Sequence, residues 1–173
     1  MHDGVPEPQV AEIRDASRRL VRELGFMRST LAGTNLPPSA VHTMIVIGAR
    51  GPITAAELSE VLLLEKSSVS RMVRKLIDGG ELAEKASDRD GRAKLMSLTR
   101  KGRATLVAID RFAQNQVASA LAHLDPAARR TVQQGLASYA RALEASRTAA
   151  GRRPSPDTPR GRRAGKAFPS QTD

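Results

Sequence analysis

Residues 54–102 read TAAELSEVLLLEKSSVSRMVRKLIDGGELAEKASDRDGRAKLMSLTRKG, and a change of period inside this stretch decides the fold. Thr54-Ala55-Ala56-Glu57 has capping-box spacing: the Thr hydroxyl accepts from the third backbone N–H of a helix while the Glu carboxylate accepts from the N–H of the cap residue. A short helix follows with Leu58, Val61 and Leu62 inward. Glu65-Lys66-Ser67-Ser68 opens another, in which Val69, Met72, Val73, Leu76 and Ile77 recur at three-four spacing and share one face. Ser67, Ser68, Ser70, Arg71, Arg74 and Lys75 are left on the outer face, and Gly79-Gly80 stops the helix. From Leu82 the period drops to two. Leu82, Glu84 and Ala86 alternate on one side of SDRDGRA, and Leu95, Ser97 and Thr99 on the other, with Asp90-Gly91 as the hairpin-turn dipeptide. The order is helix, tight turn, helix, two-stranded hairpin.

Upstream, the residues at 10, 13, 17, 20, 24, 27 and 31 are Val, Ile, Ser, Leu, Leu, Met and Leu, one apolar seam along a first helix from Val10 to Leu31. Pro37-Pro38 resets the chain, and Ser39 is placed to cap a second helix that carries Val41, Met44 and Ile45 and ends near Gly48. Downstream, Thr99 caps a long helix with Leu106, Ile109, Ala113, Val117, Ala120 and Leu124 at helical spacing. Asp125-Pro126 supplies a cap and a first-turn proline, and Val132, Leu136, Tyr139 and Leu143 carry the last helix to about residue 147. The fold class is mainly α with a small β-wing: four helices, a hairpin and two helices over residues 1–148.

Charge is confined. The 173 residues carry 28 Lys plus Arg against 18 Asp plus Glu, a net charge of +10. Residues 66–103 hold 11 basic and 5 acidic side chains, +6 in 38 residues, and residues 151–173 hold a further +4, while the rest of the chain cancels. Residues 149–173 are expected to form a disordered basic tail, because GRRPSPDTPRGRRAGKAFPSQTD is too rich in Pro and Gly to pack. A folded basic domain points to a polyanionic partner. With three Phe, one Tyr and no Trp, the chain lacks the aromatic platform that single-strand readers stack bases on, so double-stranded DNA is favoured.

Other classes are excluded on composition. Without Cys there is no disulfide framework, thiolate zinc site or catalytic thiol. His2, His42 and His123 are too scattered for a metal-binding pair, and neither a P-loop nor a dinucleotide fingerprint is present. No enzyme activity, cofactor or metal is expected. No apolar run is long enough to span a membrane, and MHDGVPEPQ has neither the basic start nor the apolar run of a signal peptide, so a cytoplasmic protein is expected.

A capped helix, a tight turn and a second helix with a cationic outer face resemble a helix-turn-helix, whose second helix enters the DNA major groove. Ser67, Ser68 and Ser70 offer short hydroxyls near the helix start, where the backbone can approach phosphate, and Arg71 and Arg74 offer forks that reach guanine edges. The hairpin makes this a winged helix. Arg89 and Arg92 flank its turn, where a minor groove or flanking phosphate would be met. Asp90, two residues from Arg92, is placed to orient the guanidinium through a local ion pair or turn hydrogen bond.

The whole stretch from Thr54 to Gly102 resembles the winged-helix core of the MarR (multiple antibiotic resistance regulator) family. The wing signature D-x-R followed by L-T-x-x-G is matched by Asp90, Arg92, Leu98, Thr99 and Gly102. The resemblance implies a homodimer held by flanking helices (residues 8–34 and 104–148) around a DNA-binding region, 37–103, with two recognition helices in successive major grooves and two wings at the minor groove. Carried over by position, the DNA readers are Ser67, Ser68, Ser70, Arg71, Arg74 and Lys75, with Arg89 and Arg92 at the wing and Asp90 in support. It also implies a sequence-specific regulator of transcription, most often a repressor, acting on a pseudo-palindromic operator. A small aromatic or phenolic effector between the dimer region and the winged helix fits the family, and Ser39 and His42, one turn apart, are its candidate contacts. The competing reading is an architectural protein that coats DNA without sequence choice through its basic tail.

Overall fold

The protein is described here from a computed structural model covering residues 4–86 and 93–151. Its core forms where helix α2 (Pro38–Arg50) meets the paired helices α3 (Ala55–Leu62) and α4 (Lys66–Asp78). Ala40, Val41, Met44 and Ile47 of α2 pack against Leu58 of α3 and against Val69, Met72, Val73 and Leu76 of α4, all buried. Burial of each Val, Leu, Ile or Met side chain among them is worth about 1.5–3 kcal/mol. Thr43, the buried hydroxyl in this layer, donates to the Ser39 carbonyl at 2.9 Å and lies 3.3 Å from the Met72 sulfur, so it is satisfied.

A three-stranded antiparallel sheet closes one side, with β3 (Lys94–Leu98) between β1 (Ile53–Thr54) and β2 (Leu82–Ala86). The hairpin alone is expected from sequence; the third strand is a correction. Two residues are too short to show a period, and β1 exists because the Ile53–Thr54 backbone pairs with Met96 and Leu95. The phase of β3 is corrected as well. Leu82 pairs with Leu98 and Glu84 with Met96, so Met96 and Leu98 face the core and Met96 is buried. The alternation through Leu95, Ser97 and Thr99 is the opposite face. Helix α5 (Arg100–Leu121) follows at once and adds Ile109 to the core.

The other helix ends separate what local chemistry specifies from what it does not. The capping box is present: Glu57 Oε2 accepts from the Thr54 N–H at 2.8 Å, and Thr54 Oγ1 accepts from the Glu57 N–H at 3.3 Å. Thr99 Oγ1 accepts from the Gly102 N–H at 3.0 Å at the start of α5. Asp125 Oδ1 accepts from the Ala128 N–H at 2.8 Å at the start of α6 (Pro126–Gly151). Ser39, by contrast, is not a cap. Pro37 takes that place without any side-chain bond, and Pro38 supplies the preset φ of the first helical position. Nor does Gly48 end α2. A Cβ there would strike Leu106 of α5, so this glycine is a contact point, and the helix ends at Gly51, where φ is +82°. Helix α1 (Glu7–Glu23) stops well before Leu31 because Gly25, at φ +85°, turns the chain. Met27 and Leu31 therefore continue the seam in sequence but not on the helix. Helix α6 runs four residues past the expected end at 147.

The chain divides into a unit that ends at Ala122 and a second that begins at His123. No described helix is long and apolar enough to cross a membrane.

One stability prediction arises from the capping box. The backbone N–H and hydroxyl of Thr54 hold the Glu57 carboxyl below its ordinary value of 4.5, with the Arg50 charge adding to them. A carboxyl lowered on folding stabilises the protein above its unfolded pKa, and that contribution fades as pH falls through the lowered value. Glu57→Gln is expected to reduce Tm at neutral pH and to approach wild type as pH drops below the ordinary carboxylate range. Thermal melts of both proteins from pH 7 to pH 3 check this; a constant gap contradicts it.

Candidate nucleic-acid interface

The turn between α3 and α4 sets how α4 is presented. Leu63 adopts a left-handed conformation, φ +55°, and Ser59 fixes it: its carbonyl accepts from the Leu64 N–H at 3.2 Å, and its hydroxyl donates to the Leu64 carbonyl at 2.6 Å. A non-glycine residue in this region costs roughly 1–2 kcal/mol, offset here by those bonds and by Leu62 and Leu64 packed against the core.

Helix α4 spans 13 residues, about 20 Å at 1.5 Å per residue. Its inner face is buried, which leaves Ser67, Ser70, Arg71, Arg74 and Lys75 exposed on the other, with Ser68 half-buried beside Arg71. Arg71 Nη2 lies 3.4 Å from Ser68 Oγ, a weak bond that leaves most of the guanidinium fork open. Among the described residues no carboxylate lies within ion-pair distance of Arg71, Arg74 or Lys75. Asp78 follows one turn after Arg74 on the same face, so the cationic surface is confined to the first three turns. Three hydroxyls and three cations without ion-pair partners among the described residues form a surface that can donate to phosphate oxygens and base edges. Six of the residues expected at the interface are thus brought onto one helix.

The wing contributes its strands. Lys94 Nζ reaches across to Glu84 Oε2 at 2.7 Å and pins the hairpin near its turn end. Arg89, Asp90 and Arg92, the three wing candidates, lie outside the described residues, as does the tail from residue 152.

Ser39 and His42 are not brought to one site. Ser39 lines a cavity of about 290 Å³ between the start of α2 and α4, together with Pro37, Ser68, Arg71, Met72 and Lys75. His42 is exposed and stacks on Phe26, with ring centroids 5.4 Å apart and planes at 19°. The cavity's link to α4 is invisible to periodicity, because Arg71 and Lys75 are outward by pattern yet flank the opening.

A model of the MarR family matches residues 34–93, from the approach to α2 into the wing. Over that segment the chain is similar to the MarR family. The likeness of fold extends beyond that segment in comparisons with solved structures. A probable transcriptional regulator from Pseudomonas aeruginosa is 25% identical, with a TM-score of 0.59 over 74% of this chain and 93% of the other. Streptococcus pneumoniae FabT, solved in complex with DNA, is 22% identical with a TM-score of 0.67, over 80% of this chain and 98% of FabT. Bordetella bronchiseptica BpsR, whose DNA binding is regulated by 6-hydroxynicotinic acid, is 20% identical with a TM-score of 0.60, over 76% and 98%. The last two likenesses establish fold alone. No curated protein matches the chain.

Proposed function

We propose that this MarR-type protein is a homodimeric, sequence-specific regulator that binds double-stranded DNA and represses transcription. The observation that carries the reading is the outer face of α4, where Arg71, Arg74 and Lys75 stand exposed beside Ser67 and Ser70, without carboxylate partners among the described residues. FabT, a protein of the same fold, is solved in complex with DNA, which supports a DNA-binding reading; the helix-turn-helix order places that face in a major groove. Arg89 and Arg92, with Asp90 orienting Arg92, complete the contact at the wing.

Two unpartnered apolar stripes support the dimer. In α1 no residue is buried, although Val10, Ile13, Leu20 and Val21 recur along it. In α6, Val132, Leu136, Tyr139 and Leu143 are 40%, 51%, 39% and 54% exposed. Stripes of this kind are normally covered by a second copy or another partner. Residues 8–34 and 104–148 are accordingly assigned to dimerisation and 37–103 to DNA binding, with repression taken from the family resemblance. Two-fold symmetry then sets half-sites about 10 base pairs apart. Footprinting is expected to show one discrete, pseudo-palindromic protected site, and light scattering is expected to give a dimer. Diffuse protection, or a monomer that still protects a palindrome, would contradict the reading.

The cavity beside Ser39 supports effector control. An anionic aromatic or phenolic acid seated against Arg71 and Lys75 would compete with DNA for the same cations, and its effect is limited to its difference in affinity for the free and DNA-bound protein. The +4 of residues 151–173 favours a second reading, an architectural coater. Affinity equal on all sequences and lost on removal of 152–173 would establish that alternative.

A further inference from the structure

The recognition helix passes into the wing through Gly79-Gly80-Glu81, and its end is closed in both senses of a Schellman motif: the Glu81 N–H donates to the Leu76 carbonyl at 2.8 Å and the Gly80 N–H to the Ile77 carbonyl at 2.8 Å, with Gly80 at φ +72°. Those bonds end the helix but leave the three hinge carbonyls themselves open. All three are taken by two residues at the start of α5. Lys101 Nζ donates to the Gly79 carbonyl at 2.7 Å, Thr99 Oγ1 to the Gly80 carbonyl at 2.7 Å, and the Thr99 N–H to the Glu81 carbonyl at 3.0 Å.

Lys101 has a second partner. Its ammonium lies 3.2 Å from Glu81 Oε1, while the Glu81 side chain is only 9% exposed and its Oε2 has no hydrogen-bond partner among the described residues. A carboxylate buried at the negative end of a helix dipole is costly unless a cation stands beside it. Packing alone gives no reason to keep an acid here; the Lys101 contact does.

We infer that Glu81 and Lys101 are positioning residues, a latch that holds the recognition helix and the wing as one body on α5. The inference rests on the proposed DNA-reading role of α4. If α4 must meet a groove in one orientation, a latched hinge carries its ordering cost before binding, and an unlatched one carries it in the specific complex. Loose, nonspecific contact with phosphates needs no fixed orientation and is indifferent to the latch.

Neutralising the acid separates this role from a plain phosphate contact by Lys101. Glu81→Gln keeps the shape and removes a negative charge. If Lys101 served only to attract phosphate, the variant would bind every duplex more tightly. The latch predicts the opposite sign on a duplex enriched from a random pool by the wild-type chain: about three- to tenfold weaker binding, the size of one ordering step, with random duplex unchanged or slightly tighter. Lys101→Met is expected to lose selectivity and Lys101→Arg to keep it near wild type, while Glu81→Gln with Lys101→Met does no further harm than Lys101→Met alone. Amide exchange supplies a reading independent of DNA. The Gly80, Glu81 and Thr99 amides should exchange faster in Glu81→Gln than in wild type, with the Met72 and Val73 amides unchanged. Tighter binding of both duplexes by Glu81→Gln, or unchanged exchange at the hinge, overturns the latch. Should the wild-type chain enrich no sequence at all, the DNA-reading role fails, and the exchange comparison alone still decides whether the latch exists.

Discussion

Gly102→Ala is expected to unfold at a temperature lower by roughly 10 °C, from about 3 kcal/mol lost at about 2–4 °C per kcal/mol for a chain of this size. A Cβ at position 102 would be driven into the Glu81 carbonyl, a backbone group that cannot rotate away, and would press on Leu98 as well. The same carbonyl accepts from the Thr99 N–H, and Thr99 Oγ1 accepts from the Gly102 N–H at 3.0 Å. Any shift that relieves the overlap therefore lengthens bonds worth about 0.5–1.5 kcal/mol each. Only glycine lets the first turn of α5 sit this close to the hinge. Calorimetry of the two proteins checks the expectation; a melting temperature within about 2 °C of wild type, an effect below 1 kcal/mol, would show that the contact is looser than described. At a temperature where both are folded, the variant is further expected to lose discrimination between DNA sequences, since the displaced carbonyl belongs to the hinge behind α4.

Arg74→Ala is expected to cost about 1–3 kcal/mol, roughly 10- to 100-fold, on the preferred DNA sequence and much less on random duplex. Arg74 is exposed on the outer face of α4 between Arg71 and Asp78, without an ion-pair partner among the described residues. Its truncation exposes no core and breaks no bond among the described residues, so folding is expected to be unaffected. Arg74→Lys should not restore the loss, because an ammonium cannot make the paired bonds of a guanidinium fork. Arg162 provides the contrast from the tail. Its replacement should weaken all sequences alike and reduce the salt slope by about one. Fluorescence anisotropy on matched specific and random duplexes reads both variants, and equal loss on both duplexes for Arg74→Ala would contradict a base-reading role.

What could be read from the residues follows the range over which each signal acts. The capping box at Thr54 and Glu57, the Thr99 cap, the Asp125-Pro126 start and the two faces of α4 are set within one or two turns, and the structure bears them out. Short-range signals failed where a longer-range contact decides. Gly48 reads as a stop but serves the approach of Leu106, 58 positions on, and β1 has no period of its own and depends on Met96 and Leu95. The seam beyond Glu23 kept its spacing after Gly25 had turned the backbone. At the site, the outward residues of α4 were legible because the apolar face is strict. The cavity that joins Ser39 to Arg71 was not, since it forms where two helices meet, and nothing in sequence ties Lys101 to the carbonyl of Gly79.

The central claim, that the cationic face of α4 selects a DNA sequence, is tested most directly by a gel-shift titration of the full chain on DNA from upstream of its own gene. Excess random competitor is included, and the titration is run at low and at physiological salt. A discrete complex that survives competitor at both salt concentrations is the predicted result. Binding that competitor and salt abolish together would contradict sequence selection at that site and favour a coat held by charge alone.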